Sequence, residues 1–250
     1  MNNLNFFIPI DGNVPTHIDD TTIYPYNLVG MLSFNIAGNA YIGTATLIRF
    51  GKEKESDLLL TCAHNLYDSA EGEASDVMFT PGFNDPQQPY EPISAKAFRY
   101  PNGFKQVAVS LLTKPEEATV EQLKEHARYD YALIKLAKPI EIQNIFKFAV
   151  VPDQHLTDLA VKMAGYGYYD QEMAHAVGKI AEYEEDRIYH NMSTRAGASG
   201  SAIVDSTASR IIGIHTHGDS AKKLNYGVRI TDVVYDNLRQ WRDEMNNDSM

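Results

Sequence analysis

Apolar residues in this chain come in short runs broken by glycine, proline and charged clusters, a pattern of strands more than of long helical faces. Leu28–Phe34 and Tyr41–Ile48 predict two strands, and Asn35–Asn39, with Gly38 inside, predicts the hairpin turn between them. The charged stretch Lys52–Asp57 reads as a loop before a third apolar strand, Leu58–Thr61, which delivers Cys62-Ala63-His64. Residues 81–103, rich in proline, glycine, asparagine and tyrosine, read as a long ordered loop and a strand. Lys114-Pro115-Glu116-Glu117 has proline in a first turn and acids at the positive dipole end, so a helix is predicted from there to about His126. The alternation after Asp130, through Leu136, is again that of a strand.

Lys138-Pro139 and Val151-Pro152 bracket a crossing between two halves. The second half repeats the short-strand grammar at Ala160–Gly167, Val177–Tyr183 and Arg210–His215. Thr231-Asp232 then caps a predicted helix whose apolar positions Val234, Leu238, Trp241 and Met245 share one face. No repeat or low-complexity segment interrupts this. The pattern is all-β, in two halves, closed by a C-terminal helix.

Composition narrows the picture. A chain of 250 residues with 44% hydrophobic content can bury one large β domain or two small ones. The formal net charge of -11 excludes a basic nucleic-acid footprint, and an acidic substrate would need a locally positive pocket. With a single cysteine, Cys62, no intramolecular disulfide can form, and Cys62 reads as a small core residue. No apolar run approaches the ~18 residues of a membrane span. Met1–Phe7 lacks the basic segment and clean apolar core of a signal peptide, which leaves the compartment open.

The candidate chemistry centres on Ser193-Thr194-Arg195-Ala196-Gly197-Ala198-Ser199-Gly200-Ser201. A serine among small residues, followed by the apolar run Ala202–Val204, can stand on a tight turn whose backbone N–H groups face outward. A plain glycine-serine turn has the same composition. What separates the two is the rest of the chain. His64 follows a buried strand and Asp130 precedes another, and a nucleophilic serine needs both a base and an acid that fixes its tautomer.

Thr61-Cys62-Ala63-His64, Asp130-Tyr131-Ala132-Leu133-Ile134 and Gly197-Ala198-Ser199-Gly200-Ser201 resemble the three motifs of chymotrypsin-like serine peptidases. More narrowly, Asp20–Tyr26, Phe79–Gly82 and Ile212-Gly213-Ile214-His215 resemble segments of the glutamyl endopeptidase and exfoliative-toxin branch. The resemblance spans about residues 18–240 and implies two six-stranded antiparallel β-barrels with a C-terminal α-helix. The implied layout is an N-terminal arm (1–23), a first barrel (24–145), a second barrel (146–230) and a helix and tail (231–250). His64 would be the general base, Asp130 its orienter and Ser199 the nucleophile, with Gly197 and Ser199 supplying the oxyanion-hole N–H groups. Thr194 and His215 would line the pocket for the residue before the scissile bond, favouring Glu over Asp. The expected partner is a protein or peptide substrate and the expected state a monomer, with no cofactor and no metal. The resemblance suggests secretion, and the branch's habit of placing a mature amino terminus beside the pocket suggests trimming near Ile8.

Other readings are weaker on the residues. The α/β-hydrolase pattern needs Gly-x-Ser-x-Gly and the order Ser, Asp, His, whereas position 201 is serine and the order here is His, Asp, Ser. His215, His217 and Asp219 alternate as metal ligands on one strand face would, but no second cluster supports an ion. Arg195 and Ala196 stand where small residues or glycine would ease the turn, and Ala198 leaves no acid to pair with a new amino terminus. A narrow-specificity, toxin- or effector-like protease and a catalytically silent binding module share the same fold expectation.

Overall fold

The structure, a computed structural model, describes residue 10, residues 12–113 and residues 125–247. Strands β1 (Val29–Ile36), β2 (Asn39–Ile48), β3 (Glu55–Thr61), β4 (Ser75–Pro81), β5 (Ile93–Arg99) and β6 (Ala132–Glu141) form the first barrel. They pair in the order β1-β2-β3-β6-β5-β4, and β4 closes antiparallel on β1. The β1–β2 hairpin turns on Ala37 and Gly38, with φ of 48° and 83° between paired Ile36 and Asn39. Two positive φ values in succession are what a two-residue turn matched to the strand twist requires.

The second barrel comprises β7 (Ala160–Gly167), β8 (Asp170–Tyr183), β9 (Arg187–His190), β10 (Ala202–Asp205), β11 (Arg210–Asp219) and β12 (Leu224–Arg229). Its ring runs β8-β7-β10-β11-β12-β9, and β9 returns to β8. Residues Thr16–His17 of the N-terminal arm add a two-residue strand to the outer edge of β8. The two six-stranded antiparallel barrels are those of the chymotrypsin-like fold.

One apolar cluster joins the barrels. Leu58, Leu59 and Leu60 of β3 are all buried, and the same cluster holds Val204, Ile211 and Ile214 of the second barrel. Helix α2 (Asp232–Asn247) packs on this core, and α1 (Asn102–Thr113) contributes to a separate small cluster with Ala63 and Tyr67. Thr231 Oγ1 accepts from the Val234 N–H at 3.3 Å, capping α2 as its sequence predicts. Val234, Leu238 and Met245 are buried against the cluster, and Trp241 stacks on Tyr131 with ring centroids 5.6 Å apart.

Two expectations change, and a third lies mostly outside the described residues. Helix α1 starts at Asn102, inside the stretch read as loop and strand, with Phe104 buried against Tyr67 and Tyr100. Most of the helix predicted from Lys114 lies outside the described residues, and residues 125–128 are helical. Pro139 stands inside β6, where the β3–β6 register slips between Ser56 and Leu58, so the crossing between halves begins after Glu141. A strand tolerates proline at such an irregularity because no ladder N–H is demanded there.

Leu59 is fully buried and pairs with both Leu47 and Ile134. Leu59→Ala is expected to lower unfolding stability by about 2–5 kcal/mol in urea titration, with an unchanged m-value.

Candidate active site

β3 ends at Thr61, and a single 3-10 turn, Ala63–Asn65, follows Cys62 and carries His64. Thr61 pairs with Ala132 in the antiparallel register of β3 and β6, so the chain just before β6 lies against the His64 turn. Asp130 therefore meets His64 twice. Its Oδ1 accepts from the His64 backbone N–H at 2.9 Å, and its Oδ2 lies 2.6 Å from His64 Nδ1. Asp130 is completely buried, where an unpaired carboxylate would be very costly. Burial alone would raise its pKa, but His64 and the hydrogen bonds to it hold the carboxyl well below the usual range. For His64, burial works downward as the largest single effect, and the Asp130 charge, the neighbouring Cys62 sulfur and the hydrogen bonds to both together lift the imidazole well above the ordinary histidine value.

The Ser199 turn belongs to the second barrel but is fastened by the first. Gly197 and Gly200 take φ of 105° and 91°, which an L side chain rarely adopts. A Cβ at Gly200 would stand 2.2 Å from both Thr44 O and Thr61 Oγ1. The Ser199 carbonyl accepts from the Thr44 N–H at 2.8 Å and from Asn65 Nδ2 at 3.1 Å, while Thr44 Oγ1 donates to Gly197 O at 2.8 Å. Ser199 is thus tied to the residue that follows His64. The turn closes on itself through Ala198 N–H to Arg195 O and Ser201 N–H to Ala198 O. Among the described residues, the N–H groups of Gly197 and Ser199 donate to no acceptor. Ala196 keeps an ordinary φ because Gly197 takes the unusual one. Arg195 is exposed, with its guanidinium 5.0 Å from the Tyr168 ring centroid.

Beside the turn, Thr194 and His215 are both buried, and Thr194 Oγ1 and His215 Nε2 have no hydrogen-bond partner. His215 Nδ1 faces His190 Nε2 at 3.3 Å. Burial holds His215 well below the ordinary histidine pKa, with His190 and His217 adding to the effect, and burial takes His190 to about 3. Ile10 of the arm donates its N–H to Ser193 Oγ at 2.6 Å, next to Thr194. Ile8 lies outside the described residues.

His217 and Asp219 do not join His215 as a ligand set. A register irregularity falls between His215 and His217, and Asp219 Oδ1 instead accepts from the N–H groups of Ala221 and Lys222. His217 Nδ1 stands 3.6 Å from Asp130 Oδ2, with its ring 5.1 Å from that of His64. Burial, with His64 adding to it, lowers the His217 pKa to about 3. Among the described residues, the donor atoms that do converge are those of Cys62, His64 and Asp130, all within 4.8 Å of one another. Thr44, Asn65 and His190 were missed by reading the sequence. Their roles arise from contacts between barrels or across strands, and no local motif announces them.

The geometry and the comparisons agree on the class. The pattern of the trypsin-like peptidase domain family matches residues 43–214, and the chain belongs to that family, a serine endopeptidase by class. It is similar to the glutamyl endopeptidase of Bacillus licheniformis, 26% identical over 240 residues, or 91% of this chain and 66% of that protein. It is also similar to the extracellular metalloprotease of Bacillus subtilis, 23% identical over 237 residues, or 92% of this chain and 68% of that protein. The chain therefore spans just under two thirds of the first relative's length. Among solved structures, a Glu endopeptidase in complex with MPD matches with a TM-score of 0.75 at 21% identity, covering 94% of this chain and 100% of that one.

Asn65→Ala removes one of the two donors to the Ser199 carbonyl and the donor to Thr61 Oγ1, and is expected to cost about 1–3 kcal/mol of unfolding stability. Because the Thr44 N–H and Asn65 serve the same carbonyl, Asn65→Ala combined with Thr44→Pro is expected to depart from additivity by at least about 0.5 kcal/mol in a double-mutant cycle.

Proposed function

We propose that this chain hydrolyses peptide bonds after Glu, and more weakly after Asp, as a monomer working through an acyl-enzyme on Ser199. The observation that carries the reading is the buried 2.6 Å pairing of His64 Nδ1 with Asp130, on the same turn that binds the Ser199 carbonyl through Asn65. Asp130 keeps the proton on Nδ1, which leaves Nε2 as the base. Ser199 Oγ attacks the substrate carbonyl as its proton passes to Nε2. The oxyanion then meets the N–H groups of Gly197 and Ser199, the two that donate to nothing else among the described residues. Each such donor is worth about 2.7–4 kcal/mol in the transition state. The imidazolium, stabilised by Asp130, returns its proton to the leaving amine. Water then repeats the sequence on the acyl-enzyme.

Specificity follows from Thr194 and His215. A hydroxyl and an imidazole nitrogen, both buried without a partner, suit a carboxylate that must be desolvated. The chain's net charge of -11 gives such a group no general attraction, so the compensating charge must be local. His215 is neutral in the empty pocket because burial depresses its pKa, and an entering carboxylate raises that pKa and recruits a proton. His190, packed on Nδ1, supports the pairing from behind.

A fluorophosphonate is expected to label the protein at Ser199, and Ser199→Ala is expected to abolish labelling and lower cleavage of a Glu-containing peptide by at least about 10⁴-fold. A wild-type protein that resists the reagent while folded would count against the reading. For peptides differing only in Glu or Gln before the scissile bond, the ratio of kcat/KM values is expected to fall as pH rises from about 6 to about 9, since binding Glu consumes a proton and binding Gln does not. Across the same series, activity on both peptides should rise through a pKa above the ordinary histidine value, because His64 must lose its proton to act.

A further inference from the structure

Cys62 has no part in the mechanism above, yet its sulfur faces the atom on which that mechanism depends. Sγ lies 3.5 Å from His64 Nε2. A tetrahedral zinc ion holds sulfur at ~2.3 Å and imidazole nitrogen at ~2.0–2.1 Å, which sets those two atoms about 3.5 Å apart. The spacing is therefore already that of two ligands on one ion. Asp130 completes the pattern from behind: its Oδ2, on Nδ1 at 2.6 Å, fixes the tautomer that turns the Nε2 lone pair outward. Carboxylate, imidazole and metal in line is the usual outer-sphere support of a metal-bound histidine.

We propose that Cys62 and His64 form a site for one thiophilic divalent cation of the zinc and cadmium type, and that filling it silences the enzyme reversibly. The inhibitory half of this rests on His64 being the general base; the binding half does not. On binding, the Cys62 S–H bond breaks and a sulfur–metal bond forms, the thiol proton passing to water. Where the His64 ring is charged, its Nε2 proton also passes to water, and Nε2 then donates its lone pair to the metal; no electron changes hands. Cys62 is fully buried while the His64 side chain is 15% exposed, so the ion would enter past His64. With Nε2 occupied, the Ser199 proton has no acceptor. Softness selects the ion: thiolate with imidazole favours zinc and cadmium over magnesium and calcium, which require oxygen.

Cys62 is the chain's single cysteine, so a sulfur signature reports this site alone. Cobalt(II) added to the full chain is expected to give a sulfur-to-cobalt charge-transfer band at one equivalent, retained in Ser199→Ala and absent in Cys62→Ala and Cys62→Ser. Zinc is expected to inhibit peptide cleavage by the wild type, with chelator restoring activity. Both Cys62 variants are expected to need at least about tenfold more zinc for half inhibition, each measured against its own metal-free activity. Absence of the band in the wild type, or equal zinc sensitivity in folded Cys62→Ala and Cys62→Ser, would overturn the proposal. Because the spectral measurement needs no turnover, a band in a protein without peptidase activity would uphold the site while counting against the catalytic reading.

Discussion

The active site depends on hydrogen bonds that cross from one barrel to the other. The serine belongs to the second barrel, yet its carbonyl is held by the Thr44 N–H and by Asn65 Nδ2, both from the first. Thr44 Oγ1 also takes the Gly197 carbonyl. These groups lie at a buried seam, where an unmade bond costs more than a made one contributes. The constraint is thus strong in one direction: the barrels must dock in one register, or several buried acceptors go unpaired. The turn carrying His64 and the turn carrying Ser199 are fastened together by the same bonds that hold the two halves together. Glycine at position 200 is part of this arrangement, since any larger residue would push Thr44 and Thr61 away from the turn.

Electrostatically the site divides its histidines by neighbour. His64, His190, His215 and His217 all lose solvation, and loss of solvation disfavours the charged ring in each. Of the four, His64 has the Asp130 carboxylate within hydrogen-bond distance of its nitrogen and the Cys62 sulfur beside it, and together these reverse the direction. The other three are held toward the neutral form, so they add little repulsion against His64 when it takes up a proton.

Much of this was legible in the sequence, and what was not has physical causes. The hairpin at Ala37-Gly38 and the strand Leu58–Thr61 were visible because alternation and turn chemistry act over a few residues. His64, Asp130 and Ser199 were visible because each stands at a strand end in its own short motif. Helix α1 was missed because Pro101, Asn102 and Gly103 carry the look of a loop, although Phe104, Val107 and Leu111 keep helical spacing behind them. The Pro139 reading failed for a different reason. Proline ends a regular strand, but here a local slip in register removes the need for its N–H. Asn65 and His190 were invisible because their partners are far away in sequence, Ser199 and His215 respectively. The pairing of His215 with His217 and Asp219 assumed strict alternation, which the irregularity between the two histidines breaks.

The short strand Thr16–His17 has a consequence of another kind. β8 is 14 residues long, and the stretch around Ala174 and His175 would otherwise present open backbone to any neighbouring chain. The arm covers that stretch from within the same molecule, and Pro15, just before it, has no N–H to offer a newcomer. Two residues make a poor template for further pairing, so the arm works as a guard against edge-to-edge self-association.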